Sequence, residues 1–255
     1  MQDKLHITVV QPDLVWENVA ANFLRLENLL AKINTQTDVV VLPEMFTTAF
    51  TMQPQKVALR PKVVIDWLHA QAQRLNCLMM GSAAIVENER YYNRLFAVLP
   101  DKTHFSYDKR HLFSLMQEQN SYERGTKKLI FEYKGWRIMP LICYDLRFAG
   151  WAQNNSSQPY DLLIYVANWP QKRIFAWQTL LKARAIENQC VVIGANRVGY
   201  DQGGAYHNGA SVAINAVGEV LHEAQSEECT FGVEIRLQDL KKTRAELPFL
   251  QDIDN

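Results

Sequence analysis

With 255 residues the chain suits one α/β domain spanning 1–255, and its 48% apolar and 21% charged residues are enough for a sizeable core. Lys plus Arg and Asp plus Glu each number 27, so the formal charge is zero and no overall field draws the molecule to nucleic acid or anionic lipid. That balance excludes a disordered polyelectrolyte and points to a small or neutral partner.

The chain opens on "LHITVV", where Leu5, Ile7 and Val9 alternate as in a strand. No long apolar stretch with a small-residue cleavage site precedes it, so the expectation is a cytoplasmic protein without an export signal. Val19, Phe23, Leu26, Leu30 and Ile33 then recur at helical spacing. "DVVVLPEM" is a short apolar run of the kind buried on both faces, and Val64, Trp67, Leu68 and Leu75 mark a second helix. "CLMMGSAAIV" and "YYNRLFAVLP", separated by the polar "ENER", predict a hairpin. "WRIMPLIC" and "DLLIYVAN" are again buried-type strands. Ile174, Trp177, Leu181 and Ala185 give a helix leading into the strand "CVVIGAN". "SVAINAVGEVLHEA" and "CTFGVEI" close the chain with β-structure and a turn at Gly218.

Mixed elements run from end to end without a Pro/Gly/Ser-rich linker or internal repeat, which suggests layered sheets with helices outside. Nowhere do eighteen apolar residues run together, so no membrane span is expected. Cys77, Cys143, Cys190 and Cys229 are far apart and lack Cys-x-x-Cys spacing, which suits reduced thiols better than a disulfide frame or a zinc site.

Cys143 stands out by its setting. The strand "IMPLI" delivers it and "YDLRF" follows as a turn or helix start, where backbone N–H groups can lower a thiol pKa and cradle an oxyanion. A buried cysteine also fills core, and the local pattern does not separate the two. Glu44, just past "VVVLP", is either a general base needing a partner or an exposed loop carboxylate. Lys109 lies in "SYDKRHLF", a charge-rich run that by itself reads as a solvated turn. Glu118, in "MQEQN", passes as a surface residue. Histidine is the usual partner of a nucleophilic thiol. Of the six, His6 belongs to a strand, His69 to a helix, and His104, His207 and His222 to irregular stretches; His111 is the best placed, so a Cys143/His111 dyad is the rival site.

"VVLPEMF", "YDKRHLF" and "LICYDLRF", in that order, resemble the three signature blocks of the nitrilase superfamily of carbon–nitrogen hydrolases. Further matches, "ITVVQPDLVWENVAAN", "ANW", "ARAIENQCVVIGANRVG" and "SVAINAVGEVL", extend the likeness over most of the chain. The resemblance implies a four-layer α-β-β-α sandwich, dimerised through an extended interface, with Glu44, Lys109 and Cys143 as catalytic triad and Glu118 as a supporting second glutamate. "YDKRHLF", "CYDLRF" and "YVANWP" look most like the omega-amidases, which deamidate 2-oxoglutaramate and 2-oxosuccinamate. Ala149 departs from the proline that many relatives carry after "CYDLRF", and Glu118 lacks the common Phe-x-Glu context.

On this resemblance Glu44 takes the Cys143 proton, the thiolate attacks an amide carbon, and Lys109 with the backbone N–H of Tyr144 holds the oxyanion. Glu118 accepts hydrogen bonds from Lys109 or orients the amide nitrogen. A substrate carboxylate calls for a cation, with Arg147 and Arg173 as candidates and Trp169 and Phe46 as apolar walls. Side chains and water complete this chemistry, so no metal or organic cofactor is called for. Another linear amide, a carbamoyl compound or a nitrile would use the same triad, and a non-enzymatic protein remains the reading if the thiol is inert.

Overall fold

The computed structural model describes residues 3–33 and 36–253. In chain order its first half consists of β1 (Lys4–Gln11), α1 (Val19–Leu30), β2 (Val39–Val41), α2 (Pro54–Val57), α3 (Pro61–Leu75), β3 (Leu78–Glu87), β4 (Arg90–Val98) and β5 (His104–Asp108). The second half adds β6 (Phe131–Tyr133), β7 (Trp136–Ile142), α4 (Ala149–Ala152), β8 (Leu162–Val166), α5 (Ile174–Asn188), β9 (Val191–Ala195), β10 (Val198–Tyr200), β11 (Tyr206–Asn208), β12 (Val212–Ile214), β13 (Val220–Glu223), β14 (Cys229–Arg236) and α6 (Leu237–Glu246).

Two six-stranded sheets result, ordered β14-β1-β2-β3-β4-β5 and β13-β12-β9-β8-β7-β6. Each has a parallel core of three strands, β1-β2-β3 in one and β7-β8-β9 in the other, flanked by antiparallel neighbours. The alternation of side chains explains the layering. Leu5, Ile7 and Val9, with Val39, Val41, Leu78 and Met80, face the second sheet and share a core with Ile138, Ile142 and Ile164. The intervening Val40, Met79 and Phe96 face outward and pack beneath Leu26 and Leu30 of α1 and Val64 and Leu68 of α3. On the far side α5 sets Trp177, Leu181 and Ala185 against the second sheet. Its approach is close enough that a Cβ on Gly194 of β9 would lie 2.7 Å from both Trp177 and Leu181. The expected α-β-β-α sandwich is therefore present.

Local chemistry sets the element ends. The Asn18 side chain accepts the Ala21 N–H (3.0 Å) and caps α1, which stops at Leu30, short of Ile33. Pro61 opens α3, and Asn76 in the left-handed conformation (φ +50°) closes it. Asn88 and Glu89 both take positive φ, as a two-residue hairpin turn of the primed type requires, in the "ENER" segment.

The structure departs from the sequence expectations in four places. The start of "SYDKRHLF", read as a solvated turn, belongs to the edge strand β5, because pairing with β4 compensates for its mixed composition. His104, His207 and His222 accordingly lie on strands rather than in irregular stretches. The small hairpin β10–β11 lies outside both sheets. The chain does not end in β-structure: α6 follows β14 and buries only Leu237 and Leu240, too thin an apolar stripe to stand out in a charged segment. Among the described residues no helix is long and apolar enough to cross a membrane.

Candidate active site

Parallel strands end where the functional candidates begin. Glu44 follows β2, Cys143 follows β7, and Asn168 lies just past β8. Lys109 follows the edge strand β5, its N–H donating to the Asn93 carbonyl on β4 at 3.0 Å. The 118–125 segment presses on that corner. Gly125 N–H donates to the Lys109 carbonyl (2.9 Å), and a Cβ at Gly125 would fall 2.0 Å from the Asp108 carbonyl oxygen, so only glycine fits.

Glu44, Lys109 and Glu118 are all buried, between 0% and 1% exposed. Both carboxylates grip the ammonium group: Lys109 Nζ donates to Glu44 Oε1 at 2.8 Å and to Glu118 Oε1 and Oε2 at 3.1 and 2.9 Å. Neither acid is a surface residue, and Lys109 is not in a solvated turn. Burial alone would strip the lysine of its proton, but Glu118, Glu44 and the neighbouring Cys143 more than reverse this and hold its pKa above the ordinary value. Burial, aided by the charge of Glu44, pushes Glu118 upward against the pull of Lys109.

Cys143 begins a 3-10 turn, Cys143–Arg147, with φ +42°, a backbone setting that costs a side-chain-bearing residue about 1–3 kcal/mol. Asp145, fully buried, holds that turn. Its Oδ2 accepts the Ile142 N–H (3.1 Å) and the Tyr107 hydroxyl (2.8 Å), while Oδ1 accepts the His111 N–H (2.9 Å) and faces the His111 Nδ1 (2.8 Å). The His111 ring also stacks on Phe148 at 3.8 Å between centroids. His111 is thus engaged with Asp145 and Phe148 behind the Cys143 turn, and the Cys143/His111 dyad does not form.

The groups that act on the sulfur are Glu44, Lys109 and the backbone N–H of Asn168. Burial and then the Glu44 charge push the thiol well above its ordinary pKa, with Lys109 and the Asn168 N–H opposing them. Burial thus favours the thiol form, with the Glu44 carboxylate beside it. Asn168 also ties Glu44 down: its N–H donates to Glu44 Oε2 (3.0 Å) and its side-chain amide to the Glu44 carbonyl.

A cavity of about 450 Å³ opens over Cys143, lined by Glu44, Lys109, Tyr144, Arg147, Trp169 and Arg173 among others. The Arg147 guanidinium lies over the Trp169 ring at 5.1 Å and that of Arg173 over Phe113 at 5.2 Å. Among the described residues neither arginine is paired with a carboxylate. Tyr144 meets Phe113 edge-on at 5.0 Å. Phe46 does not line the cavity; it packs outward with Phe23 and Trp67 beneath the helices, because Gly81 leaves room for its ring there.

Sequence reasoning missed three residues. Asp145 was quoted within the nucleophile block but given no task, and Asn168 passed as part of "ANW". Asn93 left a usable signal. It shares strand parity with Leu95 and Ala97, which face the inter-sheet core, and a lone amide at such a position needs partners.

The carbon–nitrogen hydrolase family profile matches residues 6–245. An omega-amidase, YafV, of Yersinia enterocolitica is 44% identical over 251 residues, 98% of this chain and 97% of its own. The 2-oxoglutaramate amidase of Bacillus subtilis is 32% identical, with 98% of each chain covered. In three dimensions a CN-hydrolase superfamily protein of Xanthomonas campestris, whose crystal structure carries an arsenic adduct in the active site, superposes with a TM-score of 0.94 at 38% identity, covering 99% of this chain and 97% of that one.

Proposed function

From the premise that the chain belongs to the carbon–nitrogen hydrolase family, we propose that it is an omega-amidase, hydrolysing the terminal amide of small 2-oxo acid monoamides such as 2-oxoglutaramate and 2-oxosuccinamate and releasing ammonia. The observation that carries this reading is a cysteine flanked by a buried Glu-Lys-Glu cluster, in one cavity with two carboxylate-free guanidinium groups.

In the proposed reaction Glu44 takes the Cys143 proton as sulfur bonds to the amide carbon. The carbonyl oxygen then becomes an oxyanion facing Lys109 and the Tyr144 N–H, each donor contributing on the order of 3 kcal/mol. The three ammonium hydrogens point to Glu44 Oε1 and to both Glu118 oxygens, so in the proposed reaction the longer Glu118 contact, at 3.1 Å, yields its hydrogen to this oxygen. Glu44 passes its proton to the departing nitrogen, ammonia leaves, and the carboxylate next activates the water that cleaves the thioester.

Glu118 keeps to the lysine. Its Oε2 also accepts the Phe113 N–H at 2.6 Å and its Oε1 the Asn93 amide at 3.3 Å, which with the two lysine contacts fills the usual four acceptor positions. Holding Lys109 suits it better than binding the substrate amide nitrogen. At the other end of the cavity Arg147 and Arg173 offer bidentate binding to the 2-oxo carboxylate.

Ammonia release from 2-oxoglutaramate, with hydroxamate formation when hydroxylamine is added, tests the reading. Rapid hydrolysis of a nitrile or carbamoyl compound with none of the oxo amide would replace it. Substituting Arg147 or Arg173 with Met is expected to raise KM for 2-oxoglutaramate about 10–100-fold while leaving a short amide without a carboxylate unaffected. The same rise for both substrates would remove the arginines from carboxylate recognition.

The proposal extends to a single catalytic domain acting as a cytoplasmic homodimer. Exposed Phe175 and Ile186 on α5 and Leu221 on β13 support self-association, and four free cysteines suit a reducing compartment. Sedimentation of the purified protein at one-chain mass at micromolar concentration would reject the dimer.

A further inference from the structure

Asn93 touches every part of the acid cluster without facing the cavity. Fully buried on β4, it gives its carbonyl to the Lys109 N–H, and its side-chain nitrogen donates to Glu44 Oε1 at 2.8 Å and to Glu118 Oε1 at 3.3 Å. Its amide orientation is fixed from behind. The Ser82 hydroxyl donates to Asn93 Oδ1 (2.9 Å), and the Ser82 oxygen accepts the Met45 N–H (3.0 Å), so the NH2 group must face the carboxylates.

Counting acceptor positions on Glu44 separates its two oxygens. Oε1 accepts from both Lys109 and Asn93 and is full. Oε2 accepts the Asn168 N–H at 3.0 Å, that same N–H also acts on the Cys143 sulfur, and the thiol is itself hydrogen-bonded to Glu44, which puts it on the Oε2 side.

We infer that Asn93 is a positioning residue: by filling Glu44 Oε1 beside Lys109, it leaves Oε2 as the oxygen that receives and returns the proton. The step balances simply. The S–H bond breaks as an O–H bond forms at Oε2, the sulfur electron pair bonds to the substrate carbon, and the carbonyl π pair moves onto oxygen opposite Lys109. The inference rests on the acyl-transfer role proposed for Cys143 but not on the identity of the amide. The ionisable groups facing Glu44 are Lys109 from the end of β5, Glu118 from the following loop and Cys143 from the turn after β7, with Tyr122 behind Glu118.

The test reads the pH dependence of Cys143 alkylation by iodoacetamide, followed on the Cys143 peptide by mass spectrometry, alongside kcat/KM for 2-oxoglutaramate. Withdrawing a donor from an anion makes its first proton harder to remove. In Asn93→Ala the acid limb of both profiles should therefore move to higher pH by about one unit. Asn93→Asp, which keeps the shape and adds a negative charge, should move it further. Ser82→Ala, which only frees the amide to turn, should move it less. If the alanine variant fails to fold, the isosteric aspartate and the serine variants carry the measurement. Folded Asn93 variants whose limb superimposes on that of the parent, or whose rates fall evenly at every pH, would overturn the inference. A shifted limb in a protein that does not hydrolyse the oxo amide would instead count only against the substrate.

Discussion

The two sides of the Cys143 turn use similar groups to opposite ends. In front, a lysine lies between two carboxylates beside the sulfur, and the protein's N–H donors leave one acceptor position on Glu44 turned to the thiol. Behind, Asp145 takes all of its donors from the protein: two backbone N–H groups, a tyrosine hydroxyl and a histidine ring. A carboxylate and a titratable base are present on both sides. What distinguishes them is whether any hydrogen-bonding capacity is left over, since a saturated cluster can hold a shape but cannot move a proton.

The sharpest way to break that contrast is to disable each side in turn. Cys143→Ala should abolish ammonia release and hydroxamate formation, and Glu44→Gln, which keeps the shape and loses the base, should lower kcat/KM by about 10³-fold or more. Retention of either activity in Cys143→Ala would move the nucleophile elsewhere. His111→Ala, by contrast, should lower kcat less than about tenfold, because its ring supports Phe148 and Asp145 without acting on the sulfur. An acyl-enzyme lost in a folded His111 variant would erase the distinction between front and back.

Asp145→Asn probes the rear directly. The amide can keep at most part of the acceptor role and must turn an NH2 group toward donors, so about 2–4 kcal/mol of stability should be lost, read as a lowered denaturant midpoint. Since the same carboxylate holds the strained turn at Cys143, kcat should fall as well while KM changes little. Unchanged stability would mean that the turn is held by the sheet end alone.

How much of this was legible in the sequence follows from the kind of signal each residue leaves. Buried parallel strands such as "VVV" and "LLIYV" declare themselves by composition, so the layers were readable. Their ends carry Glu44, Cys143 and Asn168, but a charged residue at a strand end looks alike whether it meets water or another charge. Only the ordered family blocks separated those outcomes for Glu44 and Lys109. Long-range pairings gave no local sign: Asn93 reaches Glu44 across 49 residues and Asn168 reaches it across 124. Phe46 erred for the opposite reason, since its place in the block says nothing about which face of the sheet it takes.

His207 extends the contrast to a histidine on which the charge of the nearby Asp201 is outweighed. It lies on β11, buried, with Nδ1 3.2 Å from the Ala205 carbonyl. Burial first, and then the charge of Arg197, pull its pKa from 6.5 down to about 4. In the unfolded chain the ring takes up a proton near pH 6.5, whereas the folded protein refuses it until about pH 4. Its contribution to stability is therefore full above pH 6.5 and drains away as the pH falls through that window, by about 3 kcal/mol at most. The measurement is Tm against pH for the parent and for His207→Gln, which does not titrate. The parent should lose more Tm between pH 6.5 and 4, by about 5 °C, with the two curves running parallel at higher pH. Parallel curves throughout would mean that the folded protein accepts the proton as readily as the unfolded chain, and that burial beside Arg197 does not exclude it.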